Sequence, residues 1–183
     1  LSLSDMCSNV DEIWVAAGLY YPDEGGEETN DDLRSTFAML GNLSIYGGFA
    51  GGETMISQRD WEANLTVLSG DLEQNDITNA DGVVEDPDDI VGTNALHVVE
   101  AEYMDGVVLD GFVITAGAAL QPCFSYGDRG GGLYLMDAEV TLRNLIVTGN
   151  TAYVGGGLMN ESVLPYAAST VSYTHLRAHE TSN

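Results

Sequence analysis

The sequence predicts an all-β solenoid, in which successive coils of one chain stack their apolar sides on each other. Two internal repeats carry this prediction. Residues 107–117 align without gaps on residues 140–150, 33 positions later, and Gly130–Leu133 recurs 25 positions later as Gly155–Leu158. Periods of this size, made of short strands separated by Gly and Asn turns, are typical of solenoids.

The longer repeat predicts which side chains form the core. In both copies two alternating apolar pairs flank a turn, Asp110-Gly111 in one copy and Arg143-Asn144 in the other. Alternation places the apolar residues on one face of each strand. The residues predicted to point inward are Val107, Leu109, Phe112, Ile114, Val140, Leu142, Leu145 and Val147. We expect roughly four to six coils, with the two copies stacked at about the 4.8 Å spacing of paired strands.

Apolar or alternating segments that end at Gly, Ser or Asp predict the remaining strands. In chain order these are Ile13–Ala17, Asn42–Tyr46, Asn64–Leu68, Ala95–Val99 and Leu133–Leu135. Glycine permits the positive-φ corners that such coils need, and asparagine tolerates them best among the other residues. Two polar stretches, Tyr21–Asp32 and Glu73–Asp89, interrupt the coils, and Leu1–Cys7 is the segment whose pattern allows a helix.

A loop explains why the two repeats differ in period. Residues 119–129 lie between the copies, and removal of about eight of them would restore the shorter coil. Insertions in solenoids lie on one face, which is often the binding face. The candidate ligand-binding residues are therefore Phe124, Tyr126, Asp128 and Arg129, with the two aromatic rings as sugar-stacking groups.

Longer blocks of sequence carry a family resemblance. Residues 13–20 read IWVAAGLY, residues 45–54 read IYGGFAGGET, and QRDW at 58–61 is followed by LSGD at 68–71. These blocks resemble secreted right-handed parallel β-helix repeat proteins of the pectin-lyase-like superfamily. The Gly-Gly-Gly-Leu and Thr-Gly-Asn motifs are similar to repeats of polymorphic outer-membrane proteins. The resemblance covers about residues 13–158 and implies three parallel sheets wound into a prism, on exported or cell-surface bacterial proteins.

The ends of the chain differ from the repeat. Residues 171–181 resemble the translation of a transposon adapter used in sequencing libraries, so residues 171–183 are interpreted as a non-native tail that makes few contacts. Residues 1–170 are interpreted as one β-helix domain fragment. Because the chain begins at Leu1 and leaves the repeat after Gly157, we expect a right-handed parallel β-helix truncated at both ends.

The charge of the chain restricts its partners. The net charge is −24, from 29 acidic and five basic residues, and lysine is absent. Such a field repels nucleic acid and anionic membrane surfaces, and it attracts cations. Two explanations of the acidic net charge are open, namely solubility in a saline environment outside the cell and the binding of divalent metal ions. No apolar run is long enough to span a membrane, and the resemblance implies a secreted or bacterial cell-surface location.

One acidic stretch is a candidate calcium site. Asn79, Asp81, Gly82 and Asp88 fall on positions 3, 5, 6 and 12 of an EF-hand-like loop, but position 1 is Ile77, which cannot bind a metal. The candidate ligands are the oxygen-bearing residues Asp76, Asn79, Asp81, Glu85 and Asp88, with Ca²⁺ as the candidate cofactor. The alternative is a solvated loop without a metal.

The basic residues favour a non-catalytic function. The resemblance implies that a lyase of this superfamily would need carboxylate-bound calcium and a basic residue that abstracts a proton. The only histidine before the tail is His97, which alternation places at a solvent-facing strand position. Arg59 lies near Glu53 and Asp60 and is expected to form a structural ion pair. Arg143 occupies a turn that is expected to be a solvated corner, and no catalytic residue is assigned.

Two classes of function follow. The first is a non-catalytic exported module, which acts as a surface or adhesin-like scaffold or binds a polysaccharide or another cell-surface ligand. The second is a fragment of a carbohydrate-active enzyme, either pectate-lyase-like or a polysaccharide hydrolase. An acidic cluster beside an arginine on one sheet face would favour the enzyme. Uniform polar faces and aromatic loops would favour binding, and aromatic residues that share one face could form a sugar-stacking surface. Whether Cys7 and Cys123 pair is left open.

Overall fold

The protein is an all-β structure of parallel sheets. The computed structural model describes residues 10–25, 28–121, 127–162, 170–174 and 177–178. Over these residues, the helical elements are two short 3₁₀ turns, Ile56–Gln58 and Pro87–Asp89. The described part of the chain contains no helix that is long and apolar enough to cross a bilayer. The segment whose pattern allows a helix, Leu1–Cys7, lies outside the described residues, as does Cys123.

Three sheets contain most of the strands. The first sheet contains β1 (Glu12–Ala16), β4 (Ser44–Phe49), β7 (Val107–Asp110), β11 (Glu139–Arg143) and β15 (Thr170–Thr174). The second contains β2 (Gly18–Tyr20), β5 (Thr66–Ser69), β8 (Val113–Thr115), β12 (Ile146–Val147) and β16 (Arg177–Ala178). The third contains β3 (Phe37–Ala38), β6 (Val99–Glu102), β10 (Leu133–Met136) and β14 (Leu158–Glu161). A small fourth sheet pairs β9 (Ala118–Ala119) with β13 (Thr151–Ala152).

The chain visits the three large sheets in a fixed order. It passes through the first, second and third sheets four times and then enters the first and second again at β15 and β16. Each of these strands pairs in parallel with the strand at the same place in the neighbouring pass. Parallel strands need crossover connections, and here the other two sheets of each pass supply them.

The strand register confirms both sequence repeats. Leu142 pairs with Leu109 at the 33-residue offset, and Leu158 pairs with Leu133 at the 25-residue offset. The small fourth sheet still keeps the longer offset, because Ala152 pairs with Ala119. The eight extra residues therefore lie between β9 and β10, which confirms the position of the predicted insertion.

The predicted core residues form the main hydrophobic core. All eight residues named from the repeat are buried, with at most 2% of each exposed, and all belong to one cluster. The inward row of the first sheet runs through Ile13, Ile45, Leu109 and Leu142. Leu109 is 1% exposed, whereas Ile13 on the edge strand β1 is 41% exposed. Among the described residues, the core is therefore more deeply buried in the middle passes than at β1.

Two predicted strands differ most from the structure in their bounds. The strand expected at Ala95–Val99 begins only at Val99. Residues 94–98 instead form a corner between strands, and their backbone amides donate hydrogen bonds to other corners of the chain. The strand expected to end at Tyr46 continues through Gly47 to Phe49. An added Cβ at Gly47 would lie 2.4 Å from the carbonyl oxygen of Gly111, so only glycine fits where β4 approaches the turn after β7.

The described part of the terminal segment makes more contacts with the rest of the protein than the sequence predicts. Residues 170–174 form β15 on β11, and residues 177–178 form β16 on β12. Val171 pairs with Val140 and packs against the main core. The prediction of few contacts is therefore wrong for these residues, because the pairing of β15 with β11 places Val171 beside the inward-facing Val140. The non-native origin of residues 171–183 stays a prediction.

Candidate functional site

The outward face of the first sheet carries a row of chemically distinct side chains. Trp14, Tyr46, Asp110 and Arg143 are register partners on the adjacent strands β1, β4, β7 and β11. They alternate with the inward row that contains Leu109, so they point away from the core. The row places two aromatic rings, an acid and a base on one face.

Arg59 is fixed against this row by a buried ion pair. Its Nη2 lies 2.8 Å from Asp110 Oδ1, and its Nη1 donates to the carbonyl oxygens of Gly47 and Asp110. The guanidinium lies 5.2 Å from the centroid of the Tyr46 ring, within cation–π range. Only 11% of the Arg59 side chain and 6% of the Asp110 side chain are exposed. Arg59 therefore joins adjacent passes of the chain.

The predicted ion pair of Arg59 is confirmed, but both of its predicted partners are wrong. The Glu53 carboxylate accepts hydrogen bonds from backbone amides of its own turn, and Asp60 accepts from the amides of the two residues after Trp61. Asp110 is 51 residues from Arg59 in sequence. It reaches Arg59 because β7 lies beside β4.

The turn after β7 differs partly from the predicted solvated corner. Arg143 is exposed as expected, but Asp110 is buried and accepts a 2.8 Å hydrogen bond from Asn144 Nδ2. Gly111 and Asn144 both have positive φ, +87° and +49°, which confirms the turn predicted from their residue types. The buried Asp110 carboxylate therefore ties two consecutive turns together.

Aromatic side chains are concentrated near this face. Trp14 stacks on Phe49, with the ring centroids 4.7 Å apart and the planes at 10°. Trp61 lies at the corner between the first and second sheets, where an added Cβ on Gly48 would be 2.6 Å from Trp61 Cα. Trp14, Tyr46 and Trp61 are each partly exposed. Several aromatic residues thus share one side, the arrangement that favours binding.

The predicted loop residues that can be located lie beside the third sheet. Phe124 and Tyr126 lie outside the described residues. Arg129 Nη1 lies 2.5 Å from Glu161 Oε2, and Arg129 Nε lies 3.4 Å from Asp128 Oδ1. The hydrogen bond to Glu161 raises the pKa of Arg129. The base of the inserted loop is therefore fixed to β14 by an ion pair.

His97 is buried, so the prediction of a solvent-facing strand residue is wrong. It is 9% exposed, its ring stacks on Tyr134 with centroids 4.8 Å apart, and its Nδ1 lies 3.1 Å from Gly130 O. Burial lowers the pKa of His97, with the hydrogen bond to Gly130 opposing the shift. The alternation argument failed because His97 lies in a corner before the strand β6 begins.

A long connection covers the outside of the second sheet. Residues 71–94, here called the strap, join β5 to β6. Thr115 on β8 donates a 2.8 Å hydrogen bond to the carbonyl oxygen of Val84 in the strap. A small apolar cluster, separate from the main core, joins the strap to the sheet and contains Val67, Val83 and Val113. The strap therefore stabilises the contact between successive passes.

The five candidate calcium ligands lie in the strap, and two of them, Asp76 and Asn79, have hydrogen-bond partners within it. The Asp76 carboxylate accepts from Asn94 Nδ2 at 2.7 Å and from a backbone amide at 2.5 Å, and burial raises its pKa. Asn79 Oδ1 accepts from the amide of Asp81 at 2.9 Å, while Asn79 Nδ2 donates to Glu85. Within the described ranges, no three or more acidic, His or Cys side chains are placed to hold a metal ion. Calcium binding by Asp76, Asn79, Asp81, Glu85 and Asp88 stays a prediction.

A cleft lies between the tip of the strap and the corner that precedes β5. Its volume is about 680 Å³, within the usual range for pockets that bind small ligands. Leu19, Leu65 and Val67 contribute apolar side chains to its lining. Its polar lining residues are Glu62, Asn64, Thr78, Asn79 and Asp81.

The side chain of Glu53 is expected to titrate at a pH far below the pKa of an ordinary glutamate. Its carboxylate accepts hydrogen bonds from the amides of Ala50, Gly52 and Gly51 at 2.7, 2.8 and 2.9 Å, which lowers its pKa to about 2. Because the folded pKa is depressed, these bonds stabilise the fold above the unfolded pKa and are lost as the pH falls toward about 2.

NMR titration of the Glu53 side chain is the measurement. We expect a midpoint near 2 in the folded protein and a midpoint near the ordinary value of 4.5 in urea. A folded-state midpoint near 4.5 would contradict the hydrogen-bonded turn.

Two residues that complete these clusters were not predicted from the sequence. Glu161 accepts hydrogen bonds from both Arg129 and Tyr134, and Asn144 donates to Asp110. One sequence signal was present for Glu161, which replaces Met136 in the 25-residue repeat. An acid in place of an apolar residue indicates a position that faces outward.

Comparison with known proteins gives no relative, since the chain matches no protein-family model, no curated protein and no solved structure. The function is therefore inferred from the aromatic side of the first sheet and from the surroundings of the basic residues.

Proposed function

We propose that the protein is part of a right-handed parallel β-helix, of the kind found in secreted pectin-lyase-like repeat proteins. The repeated order of the three sheets and the parallel pairing of successive passes support this fold. A right-handed path is expected because crossovers between parallel strands of one sheet are right-handed in about 98% of cases. Each pass is then one coil, and the five strands of the first sheet fall in the expected range.

We propose that this module is exported and non-catalytic, and that it binds a polysaccharide at or near a bacterial cell surface. The observation that carries the proposal is the aromatic side of the first sheet, with Trp14, Tyr46 and Trp61 partly exposed. Rings fixed on a rigid sheet lose little conformational freedom when a sugar ring stacks on them. The acidic charge of the chain supports solubility outside the cell and disfavours nucleic acid as the ligand.

The state of the basic residues supports the non-catalytic assignment. Arg59 is buried in an ion pair with Asp110, and Arg129 is paired with Glu161. His97 is covered and stacked on Tyr134. A general base must reach the proton that it removes, within hydrogen-bond distance or through one water. The burial of Arg59 and His97 opposes this role.

The alternative is that the chain is a fragment of a carbohydrate-active enzyme. One observation favours it, since the exposed Arg143 is the register partner of Asp110 on the outward face of the first sheet. The alternative predicts that Arg143 abstracts a proton from a bound acidic sugar.

Affinity electrophoresis in gels that contain a neutral or acidic polysaccharide tests the binding proposal. We expect retardation of the protein, and a loss of affinity of about threefold or more in Trp14→Ala, the size expected from one aromatic contact. Trp14→Phe keeps a ring and should retain most of the affinity. Tyr153→Ala, at an exposed position outside the first sheet, is the matched control. Equal loss in the control, or no retardation, would contradict the proposal.

A lyase assay on polygalacturonate with calcium at alkaline pH separates the two functions. We expect no unsaturated product from the protein. Product that disappears in Arg143→Ala, with an unchanged melting temperature, would establish the enzyme instead.

A further inference from the structure

The outward face of the third sheet carries two acids on one strand. β6 alternates between Val99 and Ala101, which belong to the main core, and the outward positions Glu100 and Glu102. We propose that this acid pair is a pH-sensitive device, which holds β6 in its sheet more firmly in mildly acidic solution than at neutral pH. The proposal is independent of polysaccharide binding, because the aromatic side belongs to the first sheet.

The two carboxylates share one face at short range. Residues i and i+2 of a strand point to the same side, and they are about 7 Å apart along the backbone. Glu100 and Glu102 are both partly buried. Water and salt therefore screen their repulsion less than they would at fully exposed positions.

The strands on either side of β6 place uncharged residues beside this pair. β3 places Ala38 beside Glu100. β10 places Tyr134 beside Glu100 and Met136 beside Glu102. Tyr134 and Met136 are 0% and 3% exposed, so one side of the acid pair lies against covered side chains and not against open water.

The charged and titratable groups beyond β10 do not neutralise the pair. The Tyr134 hydroxyl donates a 2.6 Å hydrogen bond to Glu161, and Glu161 is the ion-pair partner of Arg129. His97 stacks on the Tyr134 ring, and burial lowers the pKa of His97, so it is neutral at pH 7. Among the described residues, no ion pair includes an acid of β6. The repulsion within the acid pair is therefore relieved by a proton.

The pH range of the device follows from the direction of one shift. Burial raises the pKa of Glu100 above the ordinary value of 4.5, and the charge of Glu102 raises it further. Because the folded pKa is raised, the contribution of Glu100 to stability is fully present below about 4.5 and is lost as the pH rises through the folded pKa. Protonation of Glu100 in this range leaves one charge on the face and ends the repulsion.

Urea denaturation of the full chain at about pH 4 and about pH 7.5 tests the proposal, with Glu100→Gln as a mimic of the protonated carboxyl. We expect Glu100→Gln to raise the folding equilibrium constant about two- to fivefold at the higher pH, the size of one charge contact on a sheet face. It should have little effect at the lower pH. NMR titration of the Glu100 side chain should give a midpoint above 4.5 that moves down in Glu102→Gln.

Two controls separate the pair from the general charge of the chain. Glu139→Gln removes the same charge at an exposed position on β11, and it should show no such difference between the two pH values. Combining Glu100→Gln with Glu102→Gln should stabilise the protein at the higher pH by less than the sum of the single effects, because either substitution removes the same repulsion. Melting temperatures verify that every variant is folded.

Three outcomes would overturn the device. An equal pH-dependent gain in Glu139→Gln would show a general relief of the acidic net charge. Additive gains in the double variant would show that the two carboxylates do not interact. A Glu100 midpoint at or below 4.5 would show that its carboxyl is not desolvated on this face.

Discussion

Leu109→Ala is expected to lower the free energy of unfolding by about 3 kcal/mol, within the range for large-to-small changes in packed cores. Leu109 is 1% exposed and lies between Ile45 and Leu142 in the inward row of the first sheet. Truncation leaves a cavity that the neighbouring strands cannot close, because ladder hydrogen bonds fix their spacing. Urea denaturation measures the change.

Ile13→Ala is the matched control for Leu109→Ala. Ile13 belongs to the same inward row but lies on the edge strand β1 and is 41% exposed. Its truncation removes less buried apolar area, so we expect a loss of about 1 kcal/mol or less. Equal losses at the two positions would contradict the deeper burial of the core at Leu109 than at Ile13.

Asp110→Ala is expected to destabilise the protein by about 3 kcal/mol or more, the usual result of breaking a buried ion pair. The substitution leaves the Arg59 guanidinium, 11% exposed, without its carboxylate partner. It also removes the acceptor of the hydrogen bond from Asn144 Nδ2. Thermal and urea denaturation at neutral pH measure the loss of stability. We also expect the substitution to change the arrangement of the side chains on the aromatic side of the first sheet.

Two controls separate this effect from the loss of one surface charge. Asp128→Ala breaks a pair with Arg129 whose side chains are 33% and 36% exposed, and we expect a change below about 1 kcal/mol. Replacing both Arg59 and Asp110 by apolar residues of similar size should recover much of the stability, because no unpaired buried charge remains. A severe loss in the double variant and a mild loss in Asp110→Ala would contradict the buried pair.

The inward residues could be predicted from the sequence because burial repeats with the strand period. Leu109 and Leu142 occupy equivalent places in two copies of one pattern, and parallel pairing brings equivalent places together. The turn residues Gly111 and Asn144 were predictable for a related reason, since few residue types tolerate positive φ. These features follow from residue types and from their repetition along the chain, so they could be predicted without knowing the contacts between different segments.

The candidate sites were less predictable. The acidic residues near Arg59 in sequence accept hydrogen bonds within their own turns. The ion-pair partner of Arg59 is Asp110, which comes from the next pass of the chain. His97 alternates with apolar residues, yet it is buried because a corner replaces the expected strand. Asn79 has the residue type of a metal ligand, but its side-chain oxygen satisfies amides of the strap. Residue type alone does not show which partner is near.

The sequence by itself therefore determined the all-β class, the two repeat periods, the place of the insertion and the inward-facing residues. These follow from the periodicity of residue types along the chain, which can be observed without knowing its tertiary contacts. Only the tertiary structure decided that Asp110 neutralises Arg59, that Glu161 binds Arg129 and that the strap forms a cleft with the corner before β5. The reason is physical: such contacts join residues from different passes, and sheet register and long connections set the distances between them.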